Sequence, residues 1–98
     1  MEGKYKVHWS KESKNQVDLI CAFIKEKWNE KEVNDFLDLL LHFERTISAF
    51  PKAFKPSPKR KQYRLGLIHK HTTAVYIIKK KTILIVTVFD NRTHDMFR

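Results

Sequence analysis

Apolar and polar residues alternate where the chain begins. Tyr5, Val7 and Trp9 are interleaved with Lys4, Lys6 and His8. A period of two puts one apolar side on an extended segment, so residues 4–9 read as a strand with one buried face. At Ser10 the period changes. Val17, Ile20, Cys21, Ile24 and Trp28 recur at i, i+3, i+4, i+7 and i+11, and Leu19 and Phe23 widen the stripe. Ser10 is a natural N-cap for that helix. Asn29, followed three residues later by Glu32, has the spacing of a capping box with Asn in place of Ser or Thr. A second stripe follows in Val33, Phe36, Leu37, Leu40, Phe43, Glu44 and Ile47. Glu44 breaks it where such a stripe can reach the rim of a core. Phe50-Pro51 ends the helix. Two helices joined around residues 28–30 should form an antiparallel hairpin.

Residues 51–61, PKAFKPSPKRK, hold all three prolines and five basic residues, the composition of a loop. Residues 63–68, 72–78 and 82–89 are rich in β-branched and aromatic residues and read as three antiparallel strands in a meander. The breaks between them lack Gly and Asn. Residues 83–89 are almost continuously apolar, as in a central strand covered on both faces. The order β-α-α-β-β-β predicts an α+β fold, a helix hairpin packed on an antiparallel sheet, as one domain over residues 1–98. Trp9, Ile24, Trp28, Phe36, Leu40, Ile85 and Val88 are the expected core.

Composition adds a sharp asymmetry. Residues 1–50 carry 8 Lys/Arg and 9 Asp/Glu, net −1; residues 51–98 carry 12 and 2, net +10. A basic half of this kind points to a polyanionic or acidic partner. Cys21 is the one cysteine, which excludes an internal disulfide and fits a reducing compartment. No apolar run reaches the ~18 residues of a membrane span, and MEGKYKVHWS is no signal peptide, so a cytoplasmic protein without a membrane role is expected.

Candidate chemistry is sparse. His69 and His71 sit two apart at a turn, a spacing that fits no zinc site. There is no Gly-rich phosphate loop, and neither a metal nor a cofactor is expected. The helix acids Glu26, Glu30, Glu32, Asp35 and Asp38 read as a solvated face. The basic set remains: Lys59, Arg60 and Lys61 lead into the first strand of the meander, Arg64 lies on it, and Arg92 follows the last strand. Such residues attract phosphates or an acidic surface, and arginine forks bind them directionally. Acid–base work on RNA would fall to His69, His71 and Asp90 beside Arg64 and Arg92. Asp90 is expected to orient Arg92 through an ion pair.

The stretches YKVHWS, EKWNEKEVNDF, FPKAFKPSPKRKQYR and AVYIIKKKTILIVTVFDNR, in this order over residues 4–92, resemble the RelE/ParE superfamily of bacterial type II toxin–antitoxin toxins. The likeness is closest to the ParE-like, plasmid-stabilisation branch, whose members commonly end a strand with FDNR or FDxR. The resemblance implies the same β-α-α-β-β-β fold and a growth-inhibiting toxin neutralised by a cognate antitoxin. ParE-like members inhibit DNA gyrase by binding, and RelE-like members cleave mRNA in the ribosome. By resemblance Arg92 and Arg64 fall where RelE-like toxins carry basic residues. Gly66 replaces a second basic residue, Thr73 stands where an active-site arginine is expected, and Phe97 does not supply the usual late tyrosine. These departures favour an inhibitor of a target such as gyrase over a ribosome-dependent endoribonuclease. A plain basic nucleic-acid-binding module is the reading from a different class. Both a homodimer and a toxin–antitoxin hetero-oligomer are compatible with the resemblance.

Overall fold

The computed structural model describes residues 4–90. The elements follow in the order β1 (Lys6–Trp9), α1 (Lys11–Lys27), α2 (Glu30–Ala49), β2 (Arg64–His69), β3 (Thr72–Lys79) and β4 (Thr82–Asp90). The strands form one sheet in the order β1-β4-β3-β2. β2, β3 and β4 are the antiparallel meander that the sequence predicts. β1 instead lies parallel to β4, with Lys6 opposite Thr82 and Trp9 opposite Ile85. The sheet is therefore mixed, and β4, the last strand of the described residues, occupies an interior position.

The direction of β1 follows from the helix hairpin. α1 continues onward from β1 over the second half of β4, and α2 runs back antiparallel to β1. Tyr5 N–H donates to Ser48 O across 2.9 Å and Ser48 Oγ to Tyr5 O across 2.6 Å. At the other end of β1 the Trp9 indole N–H donates to Glu44 Oε1 across 2.8 Å. β1 is short because α1 takes over its place on β4. Ser10 N–H donates to Ile85 O and Ser10 Oγ to Val86 O, while Thr87 Oγ1 donates to the Glu12 carboxylate. The irregularity between Val75 and Tyr76 in the β3–β4 register falls at the same level, where a bulge bends the strand pair.

Both helix starts behave as read. Ser10 Oγ accepts from Ser13 N–H, and Asn29 Oδ1 accepts from Glu32 N–H. The β3–β4 connection needs no Gly because Lys80 itself adopts φ 54°, a left-handed conformation that costs a side chain about 1–2 kcal/mol.

The core lies between the hairpin and the inner sheet face. Phe36, Leu40, Phe43 and Ile47 of α2 pack on Ile68, Ala74, Tyr76, Ile83, Ile85 and Val88. Thr73, Val75 and Phe89, which alternation puts on the opposite face, are buried as well. Of the expected core, Phe36, Leu40, Ile85 and Val88 are buried, whereas Trp9 and Ile24 are half-buried at its edge. Trp28 does not belong to it. It is 62% exposed, as are Leu19 at 63% and Phe23 at 50%. Leu37 on α2 is also exposed. α2, with five buried side chains, carries the packing, and α1 rests on it by a narrower stripe.

Candidate functional site

The basic segment after α2 is more ordered than its proline content suggests. It is first stitched to the sheet. The fully buried Tyr76 donates its hydroxyl to Pro51 O across 2.7 Å. Arg64, opposite Tyr76 in the β2–β3 register, donates Nη1–H to Phe54 O, also across 2.7 Å. The Phe54 ring packs on Phe43 at 5.4 Å between centroids.

The chain then doubles back. Leu65 N–H donates to Lys55 O and Ser57 N–H to Tyr63 O, with Pro56 opposite Arg64. Residues 58–62 become the tip of a small hairpin. Ser57 is buried, and its Oγ accepts from Lys59 N–H at 3.3 Å and Arg60 N–H at 3.2 Å. Tyr63 N–H closes the turn on Arg60 O. Lys59, Arg60 and Lys61 are thus exposed together on a backbone held from inside, so their charges share one place at a reduced cost in loop entropy. The sequence carried a signal for this tip: a serine two and three residues ahead of the amides that it caps.

Arg64 stands beside the tip but is half-buried and faces inward, with one guanidinium nitrogen committed to the loop. It braces the platform that presents the other three. Its charge also acts on Tyr76. Burial raises the phenol above its usual range, and the Arg64 guanidinium opposes that rise.

His69 and His71 are elsewhere. They flank the β2–β3 turn, their rings 6.5 Å apart between centroids, at the opposite end of β2 from Arg64. Six residues of strand put roughly 15 Å between the two groups. Arg92 and the side chain of Asp90 lie outside the described residues, as does Phe97. No group of three or more His, Cys, Asp or Glu is placed to hold a metal among the described residues. Burial, with Asp18 nearby, pushes the Cys21 thiol up, which keeps it protonated and unreactive. Among the described residues no helix is long and apolar enough to cross a membrane.

Two of the three departures from the toxin pattern lie among the described residues, and Gly66 has a steric reason. Gly66 faces the core directly beneath Phe43. A Cβ there would lie 2.3 Å from Phe43 Cε1 and 2.6 Å from Cζ, so a basic side chain has no room. Thr73 is buried on the opposite sheet face.

A mixed sheet with a helix hairpin on one face and a basic hairpin at its edge defines a class, the RelE/ParE-like fold. The ParDE toxin–antitoxin system of P. aeruginosa matches at a TM-score of 0.76 and 11% identity, over 91% of this chain and 98% of that one. The RelBE2 toxin–antitoxin complex of Mycobacterium tuberculosis matches at 0.61 and 13%, over 92% and 94%. YafQ from E. coli matches at 0.52 and 13%, over 91% and 96%. No family model and no curated protein matches the sequence. The chain shares the fold of these three structures over 91–92% of its length.

Proposed function

We propose that this chain is the toxin of a type II toxin–antitoxin module of the ParE-like, plasmid-stabilisation kind, acting in the cytoplasm. It arrests growth by binding a target such as DNA gyrase and is neutralised by a co-encoded antitoxin. The fold shared with ParDE and RelBE2 over nearly the whole of each chain supports the toxin role. One observation favours binding over RNA cleavage: His69 and His71 stand a strand's length from the basic tip. General acid–base catalysis needs its groups within hydrogen-bond reach of one reacting centre, and the described residues assemble no such set. Binding needs only a presented surface. Lys59, Arg60 and Lys61 provide one, and Arg64 supports it from below.

The antitoxin in this reading brings an acidic, largely unfolded segment that orders across the basic hairpin. Inducible expression tests the proposal. Growth arrest relieved by the neighbouring gene product is expected, with DNA supercoiling altered and transcript ends unchanged. Lys59→Glu, Arg60→Glu and Lys61→Glu together should abolish arrest and leave thermal unfolding unchanged. New transcript ends at ribosome-bound codons would establish the nuclease instead. Nucleic-acid binding without growth arrest would leave only the basic binding module.

A further inference from the structure

Three stretches of chain meet at the end of the sheet where β1 starts. Residues 4–6 open β1, residues 50–53 leave α2, and residues 79–82 turn from β3 to β4. Lys6 N–H donates to Lys81 O across 3.1 Å, and Ala53 N–H donates to Phe50 O across 3.0 Å. With the Tyr5–Ser48 bonds and the Tyr76–Pro51 bond, these fix the walls of an open hollow of about 610 Å³. Tyr5, Phe50, Pro51, Lys52 and Ile78 line it. Phe50 is 69% exposed, and Lys81 Nζ stands 5.5 Å from the centre of the Tyr5 ring. The volume is that of a small-molecule site.

The charge around the hollow has one sign. Lys4, Lys6, Lys52, Lys79, Lys80 and Lys81 are all exposed, and no described carboxylate comes within ion-pair distance of any of them. Glu44, the last acid of α2, is bound to Trp9. Lysines that serve solubility are ordinarily interspersed with acids, and a cluster of one sign repels itself. An anion relieves that repulsion. α2 points the negative end of its dipole here, but that amounts to about half a charge. Thr46 O and Ser48 O already accept from Phe50 N–H and Tyr5 N–H, so the lysines set the sign of the field.

Charge alone suits any polyanion, and the hollow narrows the class. A membrane is flat and meets a convex apolar face. The carboxylates of an acidic peptide come without a flat ring attached. A nucleotide brings both parts: an aromatic base that stacks on an exposed ring, and phosphates that draw lysines. We infer that the hollow binds a nucleotide, with its base on Phe50 and its phosphates between Lys52 and Lys81. The nucleotide is either free or an unpaired residue of a single strand. Lys59, Arg60 and Lys61 stand outside β2, at the other edge of the sheet, and the inference does not depend on the toxin reading.

Titration of the full chain at constant ionic strength tests this, with ATP, inorganic triphosphate, a single-stranded octa-adenylate RNA and its duplex as probes. ATP should bind about tenfold more tightly than inorganic triphosphate, the worth of one stacked base. Phe50→Ala should erase that difference, with circular dichroism unchanged because the ring is exposed. Lys52→Ala and Lys81→Ala should each weaken both anions, whereas Arg60→Ala should leave both nearly as they were. An octamer that binds at least tenfold more tightly than ATP, and more tightly than its duplex, assigns the site to a strand. Any smaller preference assigns it to the free nucleotide. Failure of both ATP and the octamer to bind overturns the inference. So does an ATP affinity that equals that of inorganic triphosphate or survives Phe50→Ala. Phosphatidylglycerol vesicles that bind through Phe50 while ATP and the octamer do not would give the face to a membrane and also overturn it.

Discussion

The indole N–H of Trp9 and the carboxylate of Glu44 meet across 2.8 Å, and this bond fastens the edge strand β1 to the C-terminal half of α2. It explains an acid in an otherwise apolar helix stripe: the half-buried Glu44 accepts from the indole N–H of the half-buried Trp9. Glu44→Ala leaves that donor without its acceptor, and the expected loss is about 1–2 kcal/mol. In a domain of this size that lowers the melting temperature by about 4–8 °C per kcal/mol. Trp9→Phe with Glu44→Leu should cost less than the two single changes added, because no polar group is then stranded. Urea unfolding of the four proteins checks this.

Gly66 supports a second test. Phe43 is itself buried and its ring cannot give way by the distance a Cβ demands. Gly66→Ala should lose about 1–3 kcal/mol. Phe43→Leu in the same chain should recover part of that loss by opening the space. Full stability in Gly66→Ala would contradict the close approach.

Tyr76 links stability to alkaline pH. Its phenol is raised in the folded chain, chiefly by burial, so the unfolded chain loses the proton first. The stabilisation is present below the ordinary tyrosine pKa of about 10 and disappears as pH rises through the folded value. Stability should fall in this window, and Tyr76→Phe should flatten the fall. Arg64→Met removes the cation that opposes the rise, so the Tyr76 phenol should titrate higher still. Ultraviolet absorbance of the phenolate follows both.

The two helix caps should differ in worth. Ser10 accepts from Ser13 N–H and also donates to Val86 O, so it ties α1 to β4 as well as starting the helix. Asn29 caps α2 in the open. Ser10→Ala should therefore cost about 2 kcal/mol and Asn29→Ala about 1 kcal/mol or less. Equal costs by thermal unfolding would show that the Val86 contact contributes nothing.

Local chemistry made most of the elements legible in advance. Ser10 and Asn29 announced both helix starts, and alternation marked the strands of the meander. What stayed hidden depends on distant partners. The parallel pairing of β1 with β4 joins residues far apart in the chain, and no local period encodes it. Trp28, Leu19 and Phe23 fit a helical stripe, but α1 buries only the part of it that meets α2 and β4. At the candidate site, the charges of Lys59, Arg60 and Lys61 were plain in composition. The inward turn of Arg64 was not, because it depends on a carbonyl ten residues earlier in the chain. The separation of the histidines from the basic tip likewise needed the register of β2.

The interior place of β4 bears on how the chain is made. A growing polypeptide that has completed β1, both helices, β2 and β3 still has no neighbour for β1, and the Ile83, Ile85 and Val88 side of its core does not yet exist. Pairing across so long a stretch of chain is slow to nucleate. The described fold is therefore completed only after β4 leaves the ribosome. An incomplete product, cut short before β4, would lack that side of the core and be open to proteolysis.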